Sequence, residues 1–160
     1  MNCVADYFSK IIDADDYSID EDSYKALNRK YGPYTLDRFA DNLNTKTEKF
    51  NSKYFCPGTN GVDAFTEHWG AENTWICPPV SLVGAVFRHM KACTAQGTVI
   101  VPLWQSAYFW PLLYPDGYCM ASFVKDFTVF DPYYTARGGN KVFVGRPKFR
   151  TIALFCKFGS

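Results

Sequence analysis

The apolar positions of this chain are most tightly ordered between Val62 and Pro102. Trp75-Ile76-Cys77 is a short apolar run that enters the double proline Pro78-Pro79, and Val80 follows. Leu82, Val83, Val86, Phe87 and Met90 then recur at helical spacing, which predicts an amphipathic helix with Ser81 as its cap. Arg88, His89 and Lys91 fall near its carboxyl end, where cations suit the helix dipole. Gly97 closes the connection, and Thr98 to Val101 is a second buried strand. Strand, helix and strand in this order predict a βαβ unit. In open parallel sheets, ligands sit at the carboxyl ends of the strands, here at Cys77-Pro78-Pro79-Val80.

Upstream, Val4, Phe8, Ile11 and Ile12 predict a short amphipathic helix. The acidic run 13–22 suits a linker or an exposed helix start. Ser23 to Lys30 reads as a helix with Tyr24, Leu27 and Tyr31 on one face, stopped by Gly32-Pro33. Residues 34–40 form a strand candidate with Asp37 near its carboxyl end. Loop 42–49, a strand at 50–55 and turn chemistry over 56–61 follow, and then a loop or very short strand at 63–65. Downstream, the aromatic-rich stretch 103–113 predicts a helix docked on the sheet. Residues 123–124, 127–130, 141–144 and 151–158 predict four strands, with a hairpin turn at Arg137-Gly138-Gly139-Asn140. The expected class is α/β, with a mainly parallel sheet finished by antiparallel carboxyl-terminal strands.

At 160 residues the chain can bury a sizeable core without staples. The aromatic share, 18%, is high, but the rings spread along the whole length and suit a core better than a stacking platform. A formal charge of +1 gives no general attraction to nucleic acid or membrane. It hides an acidic segment at 13–22 and a basic end containing Arg146, Lys148 and Arg150, either a solvated face or an edge for DNA or RNA. The six cysteines contain no Cys-x-x-Cys pair, so no metal site is expected. With no secretory pattern and no membrane-spanning run, an intracellular setting, cytoplasmic or nuclear, with free thiols is the expectation.

Enzymes that methylate amino groups of bases place a polar residue before a proline pair and an aromatic residue after it. The polar oxygen and a proline carbonyl accept the two amine hydrogens, which frees the nitrogen lone pair, and the ring stacks on the flipped base. Here Cys77 stands at the acceptor position and Val80 at the stacking position. A thiol accepts hydrogen bonds weakly, and valine has no π face.

Residues 32–113, about half the chain, resemble the phage-type adenine methyltransferase domain in the degenerate form found in polyproteins of DIRS-like (tyrosine-recombinase) retroelements. The resemblance rests on an ordered set of segments. These are Gly32-Pro33-Tyr34-Thr35-Leu36-Asp37-Arg38-Phe39-Ala40, Asn44, Phe50-Asn51-Ser52, Asp63-Ala64-Phe65, Trp69 and Trp75-Ile76-Cys77-Pro78-Pro79. Val101-Pro102-Leu103-Trp104 and Phe109-Trp110-Pro111 complete it. It implies a Rossmann-like, methyltransferase-type three-layer sandwich over residues 23–160. Asp37, Phe39 and Ala40 would match the first cofactor-binding strand end, and Asp63 the acidic residue near the cofactor's adenine. Cys77, Pro78, Pro79 and Val80 match the catalytic motif. Asp41-Asn42 stands where many such enzymes use glycine to let the backbone approach S-adenosylmethionine.

Independently, residues 2–10 resemble the final helix of a retroelement ribonuclease H. Asp6 matches the carboxylate which that helix gives to a two-metal site. Its partner carboxylates would lie upstream, in a reverse transcriptase/ribonuclease H module of the same polyprotein, so no metal is expected here. Residues 1–22 would then be the remnant of that helix plus an acidic linker.

The leading expectation is a non-catalytic methyltransferase-like module without cofactor. One alternative is a working adenine methyltransferase using S-adenosylmethionine. The other is a nucleic-acid-binding module built on Arg146, Lys148 and Arg150, with salt-dependent binding.

Overall fold

The computed structural model describes residues 17–136 and 142–159. The helix expected around Val4–Ile12, Asp6 and the turn at 137–140 lie outside the described residues. Strands are β1 (Tyr17–Ile19), β2 (Leu36–Asp37), β3 (Lys49–Phe50), β4 (Asn73–Ile76), β5 (Gln96–Pro102), β6 (Val124–Phe130), β7 (Tyr134–Ala136) and β8 (Thr151–Lys157). Helices are α1 (Glu21–Tyr31), α2 (Val83–Cys93) and the single turn α3 (Trp110–Leu113). A mixed six-stranded sheet runs in the order β3-β2-β4-β5-β8-β6, and a second, two-stranded sheet pairs β1 with β7. Five strands of the large sheet, β3, β2, β4, β5 and β6, run in the same direction, and β8 alone is reversed, inserted antiparallel between β5 and β6. The α/β class and the mainly parallel sheet are as the sequence predicts, whereas of the carboxyl-terminal strands in this sheet only β8 is reversed and β6 is parallel to the first four.

Trp75 of β4 is opposite Thr98 of β5, and Thr98 is opposite Phe155 of β8, so these three side chains share one sheet face. Helix α1 covers that face. Tyr24 meets Trp75 edge-on at 4.9 Å, and Tyr31 stacks on Phe155 at 5.1 Å. Tyr24, Leu27 and Tyr31 are the buried residues of α1, the stripe read from the sequence. The cap is Asp20, whose carboxylate accepts from the Ser23 N–H at 3.0 Å. Helix α2 serves the opposite face, burying Val83, Val86, Phe87 and Met90.

Several local expectations are corrected. Residues 17–19, inside the stretch read as an acidic linker or helix start, form β1 instead, because Tyr17 and Ile19 bury against the main apolar cluster. The strands expected at 34–40 and 50–55 shrink to two residues each. Beyond them the backbone turns into side-chain-bonded loops, such as the one in which Asp41 accepts from Leu43 and Asn44 N–H groups. Ser81 does not cap α2; residues 80–82 form a 3₁₀ turn ahead of it. Gly97 lies within β5, where a side chain would meet the Thr74 carbonyl oxygen at 2.6 Å. The expected helix 103–113 is helical only at Trp110–Leu113, with turns before it. The strands at 123–124 and 127–130 are one strand, β6, with a register shift between Val124 and Asp126. Residues 142–144 are bends, held by the buried Phe143 ring, which stacks on Tyr17 at 4.0 Å.

Candidate functional site: the carboxyl ends of the parallel strands

The catalytic-motif positions follow β4 directly, at the strand end where a ligand would enter. Each is engaged within the chain. Cys77 is buried, and burial raises its thiol well above the ordinary range, so it is a neutral, inert group. The Pro78 carbonyl accepts a hydrogen bond from the Tyr17 hydroxyl. Pro79 is half-buried at the start of the 3₁₀ turn. Val80 is 3% exposed, and its carbonyl lies 2.7 Å from the Tyr108 hydroxyl.

Tyr17 reaches Pro78 because the β1–β7 sheet lies over these strand ends. Tyr134 of β7 bonds Thr151 of β8 at 2.7 Å between hydroxyl oxygens, and Thr151 is opposite Pro102, the last residue of β5. Tyr17 and Tyr134 pack edge-on at 5.9 Å, and both rings contact Phe143. The result is an aromatic cover over Cys77 and Pro78.

Asp37 ends β2 and is 2% exposed. Its two oxygens accept from the backbone N–H groups of Phe39 at 3.3 Å and Lys46 at 3.0 Å, so loop 38–48 wraps its own carboxylate. Desolvation dominates over those two bonds and pushes the Asp37 pKa up to about 7. Lys46 turns its ammonium to Glu21 at 3.2 Å. Phe39 is half-buried against Phe65 and Trp69, and the Ala40 N–H donates to the Asn51 carbonyl at 3.1 Å. Asp63 is exposed and caps a 3₁₀ turn at Ala64–Thr66, accepting from the Phe65 N–H at 3.1 Å. Segment 49–52 hydrogen-bonds to Asp37 and Ala40 on one side and to Gly61 and Asp63 on the other, and so separates the two carboxylates.

The sequence reading passed over Arg38, which is as buried as Asp37. Facing the other side of the sheet, its guanidinium lies over the Trp69 ring at 5.0 Å, and Nη1 donates to Asn51 Oδ1 at 2.8 Å. Nε and Nη2 have no hydrogen-bond partner among the described residues, and burial lowers its pKa to about 10. His89 sits edge-on to Trp69 at 4.6 Å and bonds the Glu67 carbonyl at 2.7 Å through Nε2, which gives it a packing role.

Arg146, Lys148 and Arg150 are exposed on alternate positions of the run into β8, and Arg150 pairs with Asp131 at 3.1 Å. Among the described residues there is no group of three His, Cys, Asp or Glu side chains able to hold a metal ion. No helix among them is long and apolar enough to cross a membrane.

The burial of Cys77 has a direct chemical consequence. Under native conditions at pH 8, iodoacetamide is expected to alkylate the exposed Cys119 while leaving Cys77 unmodified until denaturant is added. Peptide mass mapping reads both sites, and rapid native labelling of Cys77 would contradict the closed strand end. No protein-family model and no curated protein sequence matches the chain.

Proposed function

We propose that this chain is a methyltransferase-like domain of a DIRS-like retroelement polyprotein, with a Rossmann-like framework kept as a structural or contact module and the methyl-transfer chemistry lost. The observation that carries the reading is the closure of the motif after β4. Of the three groups the chemistry needs, the acceptor is a buried thiol and the stacking ring is a buried valine. The third, the Pro78 carbonyl, is held by the chain's own Tyr17. A target amine would have to displace that hydroxyl and the aromatic cover above it.

The parallel β2, β4 and β5 support the framework part of the reading, with Asp37 and Cys77-Pro78-Pro79-Val80 at neighbouring strand ends. The likeness is partial. Loops, not long helices, join β2 to β3 and β3 to β4. Methyl transfer from labelled S-adenosylmethionine to single-stranded and duplex DNA containing adenine tests the proposal. It predicts no incorporation above a no-protein control, and adenine-specific incorporation would overturn it.

A further inference from the structure

A groove of about 550 Å³ runs beside α2, away from the closed strand ends. Its floor is aromatic. Phe123 and Phe158 stack at 4.6 Å with their planes 15° apart, and Phe87 leans against Phe123 at 5.2 Å. Phe123 and Phe158 are half-buried, and since each turns one face to the other, the pair offers outer faces and edges. The lining also contains Arg88 and Lys91 of α2, Lys125 of β6 and Lys157 of β8, all exposed. Among the described residues its lining contains no carboxylate. Lys125 donates to the Ser122 carbonyl at 3.0 Å, and none of the four cations takes part in an ion pair among the described residues.

Four uncompensated cations from three separate elements around one cavity repel each other, and an anion relieves that repulsion. An outer face of the half-exposed phenyl pair offers a surface on which a base can stack, as in single-strand binders. The volume falls in the range of sites that enclose a small organic group. We propose that this groove binds single-stranded nucleic acid, with one base on the outer face of Phe158 and flanking phosphates on Arg88, Lys91, Lys125 and Lys157. This site is distinct from Arg146, Lys148 and Arg150, because β8 sets Arg150 and Lys157 roughly 20 Å apart. It does not depend on the methyltransferase-like reading, since none of its residues belongs to the closed motif.

The test is fluorescence anisotropy of the full chain with labelled oligothymidylate and oligouridylate at 50 and 200 mM salt. Four phosphate contacts on a single strand predict a loss of about fifty-fold in affinity between the two salts. Lys91→Glu with Lys157→Glu is expected to abolish binding, while Lys148→Glu with Arg150→Glu leaves it within a few-fold. Phe158→Leu, a mild change at a half-buried position, is expected to weaken binding at least tenfold, with an unchanged circular dichroism spectrum establishing that the variant is folded. Binding that survives the groove double reversal overturns the proposal, as does no binding at 50 mM salt. Equal competition by polyglutamate, or binding of thymidine monophosphate without binding of the strand, also overturns it.

Discussion

Truncating Trp75 to alanine is expected to destabilise the chain by about 3–5 kcal/mol, a large part of the stability of an ordinary domain. Trp75 is 1% exposed at the centre of the parallel sheet. Its ring meets Tyr24 of α1 at 4.9 Å and Tyr34 at 5.3 Å, both edge-on. Tyr34 in turn bonds Thr98 of β5 at 2.7 Å, so removal of the indole loosens α1 and the β4–β5 pair together. Urea denaturation followed by far-ultraviolet circular dichroism reads the loss, with Trp75→Phe expected to fall between the two. A loss under about 1 kcal/mol would mean that Trp75 is not the packing centre it forms here.

The second large effect is a pH dependence carried by Asp37. Its folded pKa of about 7 lies above the ordinary carboxylate value of 3.8. Between roughly pH 4 and 7 the folded state therefore keeps a proton that the unfolded state has lost. Stability contributed by this group is full below that window and falls as pH rises through it, by up to about 1.4 kcal/mol per pH unit. Above pH 7 the loss is complete. Asp37→Asn remains neutral and keeps one acceptor for the Phe39 and Lys46 N–H groups. The difference between wild type and this variant is expected to change sign or shrink in favour of the variant as pH rises from 5 to 8. A constant difference across that range would mean that Asp37 is ionised in the folded chain. Both Asp37 oxygens accept from N–H groups of the chain's own loop.

The strand–helix–strand centre was legible because its signals are local. Trp75-Ile76-Cys77 stops at a proline pair, the α2 stripe repeats at helical spacing, and β5 is an unbroken apolar run. Helix α1 was legible for the same reason. Strand β1 was not, since it has only Tyr17 and Ile19 to show within an acidic run, and its partner β7 lies more than a hundred positions away. The Lys125-Asp126 pair interrupts the apolar alternation of β6 and makes one strand read as two. The stretch 103–113 reads as helix from its aromatic density, but it runs mostly as turns from which Phe109 is buried, Trp104 and Trp110 are half-buried and Tyr108 is exposed.

The end of β4 could be read from the sequence, and the contacts that close over it could not. The double proline marks the end of β4, but the hydroxyl that occupies Pro78 comes from Tyr17, 61 positions upstream. Arg38 gave no signal, because an arginine inside a strand-end motif ordinarily reads as exposed. The groove beside α2 was hidden for a different reason. Arg88 and Lys91 were explained by the helix dipole, and only the fold brings Lys125 and Lys157 beside them.

Titration calorimetry of the purified chain with S-adenosylmethionine tests the central claim, that the chain itself fills the strand ends where the cofactor chemistry would sit. No saturable heat at millimolar ligand is the predicted result. Saturable one-to-one binding that Asp37→Ala weakens would contradict it and would make the domain a cofactor-binding one.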